Sequence, residues 1–113
     1  MTLYEAQDVA LAFGQALLAR RYEDARALLA PSDAAITTIE DLQRGFETFV
    51  PLDWEGEILG ADVILTEWPD REEDDVALVY VPIAGFVYSE AVTVVVTRTP
   101  LGLRVRGVEF GRP

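Results

Sequence analysis

Two carboxylates and two phenols have the type and spacing to do chemistry in this chain. In the segment 86–99, alternation places Phe86, Tyr88, Glu90, Val92, Val94, Val96 and Arg98 on one face, and that face reads as core. Glu90 then sits at the start of an apolar row, where loss of water favours its protonated form and suits it to moving a proton or binding a ligand. The plainer alternative is a strand-end acid in solvent, or an ion-pair partner of Arg98 or Arg104. In the segment 54–68, Trp54, Ile58, Asp62, Ile64 and Trp68 share a face, which makes Asp62 a second carboxylate directed inward. A base that creates an enolate needs a hydrogen-bond donor opposite it, and Tyr80 and Tyr88 are the phenols at hand. The alternative for Asp62 is a solvent-facing acid at a bulge near Gly60, with the tyrosines on the rim of the core.

Composition narrows the chemistry further. Nine Asp and eleven Glu face nine Arg, with no Lys, His or Cys, for a net charge of −11. This excludes a Cys nucleophile, a Ser-His-Asp triad, a lysine Schiff base, a zinc finger and a disulfide framework. The remaining proton movers are Asp, Glu and Tyr, with Arg as a fixed cation. The acid run Asp70, Glu72, Glu73, Asp74 and Asp75 has hard oxygen ligands, but it lacks the spacing and glycine of a calcium loop and reads as a solvated hairpin tip. Neither a metal nor an organic cofactor is expected. Arg98, Arg104 and Arg106 could form an anion site, although solvated edge charges are the simpler expectation.

An isoelectric point near 4.2 disfavours nucleic acid and anionic membranes as partners. The acidic N-terminal stretch is the reverse of a secretory signal, and the longest apolar stretch, Val76–Tyr88, is broken by Pro82 and Gly85. The expectation is a soluble, cytoplasmic protein, and its all-Arg, Ala-rich composition suggests a bacterial source. Mean hydropathy of +0.17 gives enough apolar surface for one core, hence a single domain over 1–113.

The elements that must position these residues fall into two blocks. Thr2 and Glu5 have the form of a capping box, and Leu3, Ala6, Ala10, Phe13 and Leu17 follow at helical spacing, predicting a helix over about 3–19. Gly14 inside it points to close packing. RRYEDARALLAP predicts a short second helix stopped by Pro31. SDAAIT reads as a brief strand or loop, and Ile39, Leu42, Phe46 and Phe49 predict a third helix ended by Pro51. Strands are expected at about 54–68, 76–84, 86–99 and 103–110, meandering antiparallel with a tight turn at Thr99–Gly102. A bulge at Gly107 would reverse the facing of the last strand and leaves the direction of Glu109 open. Helices followed by consecutive strands define an α+β domain.

The helical hairpin LAFGQALLARRYEDARALLAP, the helix TIEDLQRGFETFV and the strands AVTVVVTRTPLGLRVRGVEF resemble the nuclear transport factor 2-like, cystatin-like α+β superfamily, which includes ketosteroid isomerase-like enzymes. The resemblance implies N-terminal helices packed in the concave face of a strongly curved, cone-shaped antiparallel sheet, with a pocket for a small apolar ligand. Tyr80, Tyr88, Trp54, Trp68 and Phe86 are the expected lining. Fold does not fix function. The leading expectation is a non-catalytic small-ligand-binding or structural domain, a homodimer through the outer sheet face, where Val95, Val87, Val79 and Val81 would leave apolar surface. One alternative is an isomerase, cyclase or dehydratase with Asp62 or Glu90 as base. Another is an immunity-like or accessory module whose acidity matches a basic protein partner.

Overall fold

The computed structural model describes residues 3–52, 56–85 and 89–111. Four helices precede five strands: α1 (Leu3–Leu18), α2 (Tyr22–Ala27), α3 (Pro31–Ala34), α4 (Ile39–Phe49), β1 (Gly56–Glu57), β2 (Asp62–Leu65), β3 (Asp75–Gly85), β4 (Ser89–Thr99) and β5 (Gly102–Gly111). The sheet is antiparallel throughout and open. β3, β4 and β5 are consecutive neighbours, while β1 and β2 both pair with β3. This is the expected α+β order. Among the described residues no helix is long and apolar enough to cross a membrane.

α1 buries Ala6, Ala10, Phe13 and Leu17 at the predicted spacing and lies across β3. Gly14 makes that approach possible, because a Cβ there would come within 2.8 Å of Val81 Cγ1 and 3.3 Å of Ile58 Cδ1. Gly45 does the same for α4, where a Cβ would meet the Phe110 ring at 2.7 Å. α4 carries a reciprocal capping box, with Asp41 N–H donating to Thr38 Oγ1 and Thr38 N–H donating to the Asp41 carboxylate, both at 3.0 Å. The box expected at Thr2 and Glu5 lies partly outside the described residues. SDAAIT is neither strand nor loop at its start: Pro31 occupies the first turn of the four-residue α3.

Four irregularities among the described strands set which way they face, one of them between Asp75 and Ala77, where Asp75 comes opposite Thr97. From Glu57 to Asp62 the chain advances five residues while its partner on β3 goes only four, from Ala84 to Tyr80. The expected continuous strand 54–68 is therefore two short pieces, and the extra residue reverses the facing between them. A second shift lies between Val63 and Leu65. On β5 a bulge at Gly107, with φ +59, reverses the facing once more. Val105 and Phe110 thus both turn toward the helices, and Glu109 turns away opposite Thr93.

The core lies between the helices and one face of the sheet. Phe13, Leu17, Phe46 and Val50 fill it from the helical side, and Val79, Val81, Val92, Val94, Val96 and Val105 from the sheet. Both sheet edges are managed. At β5, Ala30 N–H donates to Val105 O at 2.7 Å and Val105 N–H to Leu28 O at 2.8 Å, while the Asp33 carboxylate accepts from Gly107 N–H at 2.9 Å. At the other edge the broken β1–β2 segment presents no long template for pairing.

Candidate functional site

The two candidate bases are on opposite sides of the sheet. Glu90 stands opposite Ile83 in the core-facing row and is 5% exposed, so the reading of a solvated strand-end acid does not hold. It is also eight residues along β4 from Arg98, roughly 27 Å at about 3.4 Å per residue, and Arg104 is paired with neighbouring Thr97. Neither arginine is its partner. Asp62 is exposed on the outer face opposite Tyr80, not directed inward, because the extra residue between β1 and β2 reverses the alternation that Ile58 begins.

Tyr80 stands opposite Asp62 on the outer face of the sheet. Burial raises the pKa of its phenol, and the Asp62 charge pushes in the same direction. Trp68 is half-buried in the loop before β3, where its carbonyl accepts from Arg71 N–H at 3.1 Å. Trp54, Phe86 and Tyr88, and Val87 of the outer-face expectation, lie outside the described residues. Val79 and Val81, expected to leave apolar surface outside, are fully buried in the core instead, and Val95, which does lie on the outer face opposite Leu78, is only 7% exposed.

What the outer face does carry is an ordered set of cross-strand rows. One row runs Asp62, Tyr80, Thr93 and Glu109; the next runs Leu65, Leu78, Val95 and Arg106. Pro82 and Ala91 continue the neutral surface beyond the first row. The buried residues of α1, α2 and α4 join the single core on the opposite face, and α3 buries none, so no helix among the described residues is layered over these rows. The centre is neutral and largely apolar, and charge is confined to the margins.

A polar cluster borders this face. Arg106 donates from Nε to Asp75 Oδ1 at 2.8 Å and from Nη2 to Oδ2, and Asp75 is fully buried. Glu72 N–H donates to Asp75 Oδ2 at 2.8 Å, and Arg71 Nη2 donates to the Asp75 carbonyl at 2.6 Å. Burial pushes the Asp75 carboxyl up. The hydrogen bonds from Arg106, the Glu72 backbone and Thr97, with the Arg106 charge, outweigh it and hold the group below the ordinary carboxylate range. Asp75 is thus not part of a solvated tip, and Arg106 is not an open anion site. Arg104 Nη1 turns to its neighbour's carbonyl, Leu103 O, at 2.8 Å. Among the described residues no three acids converge as a metal site. An open cleft of about 510 Å³ beside the pair mixes apolar lining from Ala30, Pro31 and Pro100 with charged lining from Glu72, Asp74 and Arg98.

A second cluster ties the helices together. Arg20, at φ +61 after α1, donates to Val50 O at 2.9 Å and Pro51 O at 3.0 Å, and its guanidinium lies 5.1 Å from the Phe46 ring centroid. It therefore caps the C-terminal end of α4, where a cation is favoured. Tyr22 Oη donates to Glu47 Oε2 at 2.7 Å. Burial raises the Tyr22 phenol's pKa; Arg20 opposes and Glu47 adds to that shift. The cluster is accounted for by helix packing.

Compared with known proteins, the chain matches no family model, no curated protein and no solved structure.

Proposed function

We propose that this chain is a non-catalytic domain of the nuclear transport factor 2-like type that works as a structural, self-associating module. The observation that carries this is the outer sheet face, where half-buried Leu78, Tyr80, Pro82 and Thr93 surround a buried Val95 in a neutral centre, with no helix over it among the described residues. The order of elements, helices followed by a sheet with a broken first strand and three long strands, supports the superfamily reading. A second copy is the partner this face fits. Strands β2 to β5 hold 4, 11, 11 and 10 residues, which at about 3.4 Å per residue and about 4.8 Å per strand give roughly 590 Å², below the ~800 Å² per partner of a standard interface. Covered and broken edges leave the face as the route to association. Sedimentation velocity across concentration tests this: the wild type sediments as a dimer and Tyr80→Glu as a folded monomer. A wild type that stays monomeric at high concentration defeats the reading.

The second reading, a proton-transfer enzyme acting on a small apolar substrate, is favoured only by Glu90, an acid buried on the core face. Its test is exchange of the α-protons of apolar ketones in D₂O. Exchange by the wild type that Glu90→Gln slows by about 10² or more supports it, and no exchange by the wild type removes it for these substrates.

A further inference from the structure

We infer that Arg106 is a strap across the outer face: held on Asp75, it covers one end of that face and restrains self-association. The restraint rests on the proposed self-association, whereas the strap stands on its own geometry. Arg106 lies beside Val95 on β4, and Asp75 lies beside Thr97 on the other side of the same strand. To donate from Nε and Nη2 to the Asp75 carboxylate, the side chain must cross β4 between Val95 and Thr97, a span of two strand spacings of about 4.8 Å each. Val95 and Thr97 are each 7% exposed, with no helix above them among the described residues. Thr93, on the same face of β4, is flanked by Tyr80 and Glu109, side chains just as large, and yet is only half-buried. The other groups near the guanidinium cannot hold it in place. Glu72 is 3.9 Å away and exposed, the Asp33 carboxylate accepts from Gly107 N–H, and Arg71 is bound to the Asp75 carbonyl. Loss of the Asp75 charge, by protonation or by substitution, therefore frees the strap. Val95 stands opposite Leu78, so opening the strap joins Val95 to Leu78, Tyr80 and Pro82 as one apolar area and lifts a charge off its margin. The contact is autoinhibitory: it keeps closed the end of the face that would add most apolar surface.

The chain has no cysteine, so one introduced thiol reports how open its position is. Val95→Cys is labelled with a maleimide, below the dimer Kd, in the parent chain and beside the pair Asp75→Ala, Arg106→Ala; Thr93→Cys is the reference on the same face. The double substitution removes one charge of each sign, so net charge and general repulsion between copies stay the same. It also removes both partners together, which avoids leaving a lone buried charge. Labelling at position 95 should rise at least about tenfold when the strap is removed, and at position 93 by less than about threefold. The rise runs against electrostatics, because a guanidinium beside a thiol favours the reactive thiolate. Without introduced thiols, sedimentation equilibrium should show the double variant dimerising at least about threefold more tightly than wild type. Unchanged labelling at position 95 overturns the strap. Faster labelling there with an unchanged or weaker dimer overturns the restraint. If both positions speed up alike, the double variant has loosened and the parent chain decides: relative to the same chain in urea, folding must slow position 95 at least about tenfold more than position 93, and equal slowing overturns the strap. A wild type and a double variant that are both monomeric defeat the proposed self-association and the restraint with it, while the thiols alone then decide the strap.

Discussion

Arg106 reaches back from β5 past β4 to close both of its hydrogen bonds on Asp75, the first residue of β3. One guanidinium thereby pins the loop before β3 to the far strand of the sheet. With Asp75 fully buried, removing the carboxylate leaves a largely buried cation without its partner. Asp75→Ala is expected to lower unfolding stability by about 3 kcal/mol, and Asp75→Asn by less because the amide retains one acceptor. Urea denaturation at neutral pH measures both.

The same pair fixes the acid limb of the stability curve. The folded pKa of Asp75 lies below its unfolded value, so its contribution is full above about pH 4 and fades as the pH falls through the folded pKa. The stability gap between wild type and Asp75→Asn should be flat from about pH 5 to about pH 8, above the reference pKa of roughly 3.9, and close at lower pH. A gap that widened on acidification would contradict this pairing.

Periodicity made the helices legible, because Ala6, Ala10, Phe13 and Leu17 can share a face only in a helix, and the same reading found Leu42 and Phe46. α3 was hidden: one turn started by Pro31 buries nothing and leaves no periodic trace. The capping box of α4 was overlooked because Asp41 stands where Glu or Gln is usual. Alternation placed Glu90 on the core side, but it misplaced Asp62, because a single extra residue inverts every facing beyond it. On β5 Gly107 marked the inversion, and between β1 and β2 the alternative of a bulge near Gly60 agrees with the extra residue between Glu57 and Asp62 that turns Asp62 to solvent. Asp75 was concealed among neighbouring acids, and only its place at the head of an alternating strand, with Arg106 two strands away, hinted at a pair.

Arg20 offers a test of how the helical layer is held. Its side chain caps two carbonyls at the end of α4 and lies over Phe46, while its backbone occupies the left-handed region. Arg20→Ala loses the caps and keeps the backbone strain, for an expected loss of about 2 kcal/mol. Arg20→Gly loses the caps but relieves about 1 kcal/mol of strain. Thermal unfolding should therefore rank wild type above Gly and Gly above Ala; a Gly variant less stable than Ala would show that the backbone conformation carries no strain.

Gly14 sets helix propensity against packing. In an exposed helix, Gly→Ala gains up to about 1 kcal/mol, because alanine loses less backbone entropy on folding. Here the added methyl would lie 2.8 Å from Val81 Cγ1, and Val81 is fully buried on the central strand β3, so its rotation or withdrawal disturbs neighbouring core contacts. Overpacking of this kind costs about 1 to 3 kcal/mol. The steric term should win, leaving Gly14→Ala less stable by about 1 kcal/mol. The double variant Gly14→Ala, Val81→Ala separates the two terms. Shortening Val81 removes the obstructing methyl, so introducing Gly14→Ala in that background should stabilise the protein, whereas in the wild-type background it destabilises. Equal effects in both backgrounds would mean that α1 does not rest on β3 through Gly14.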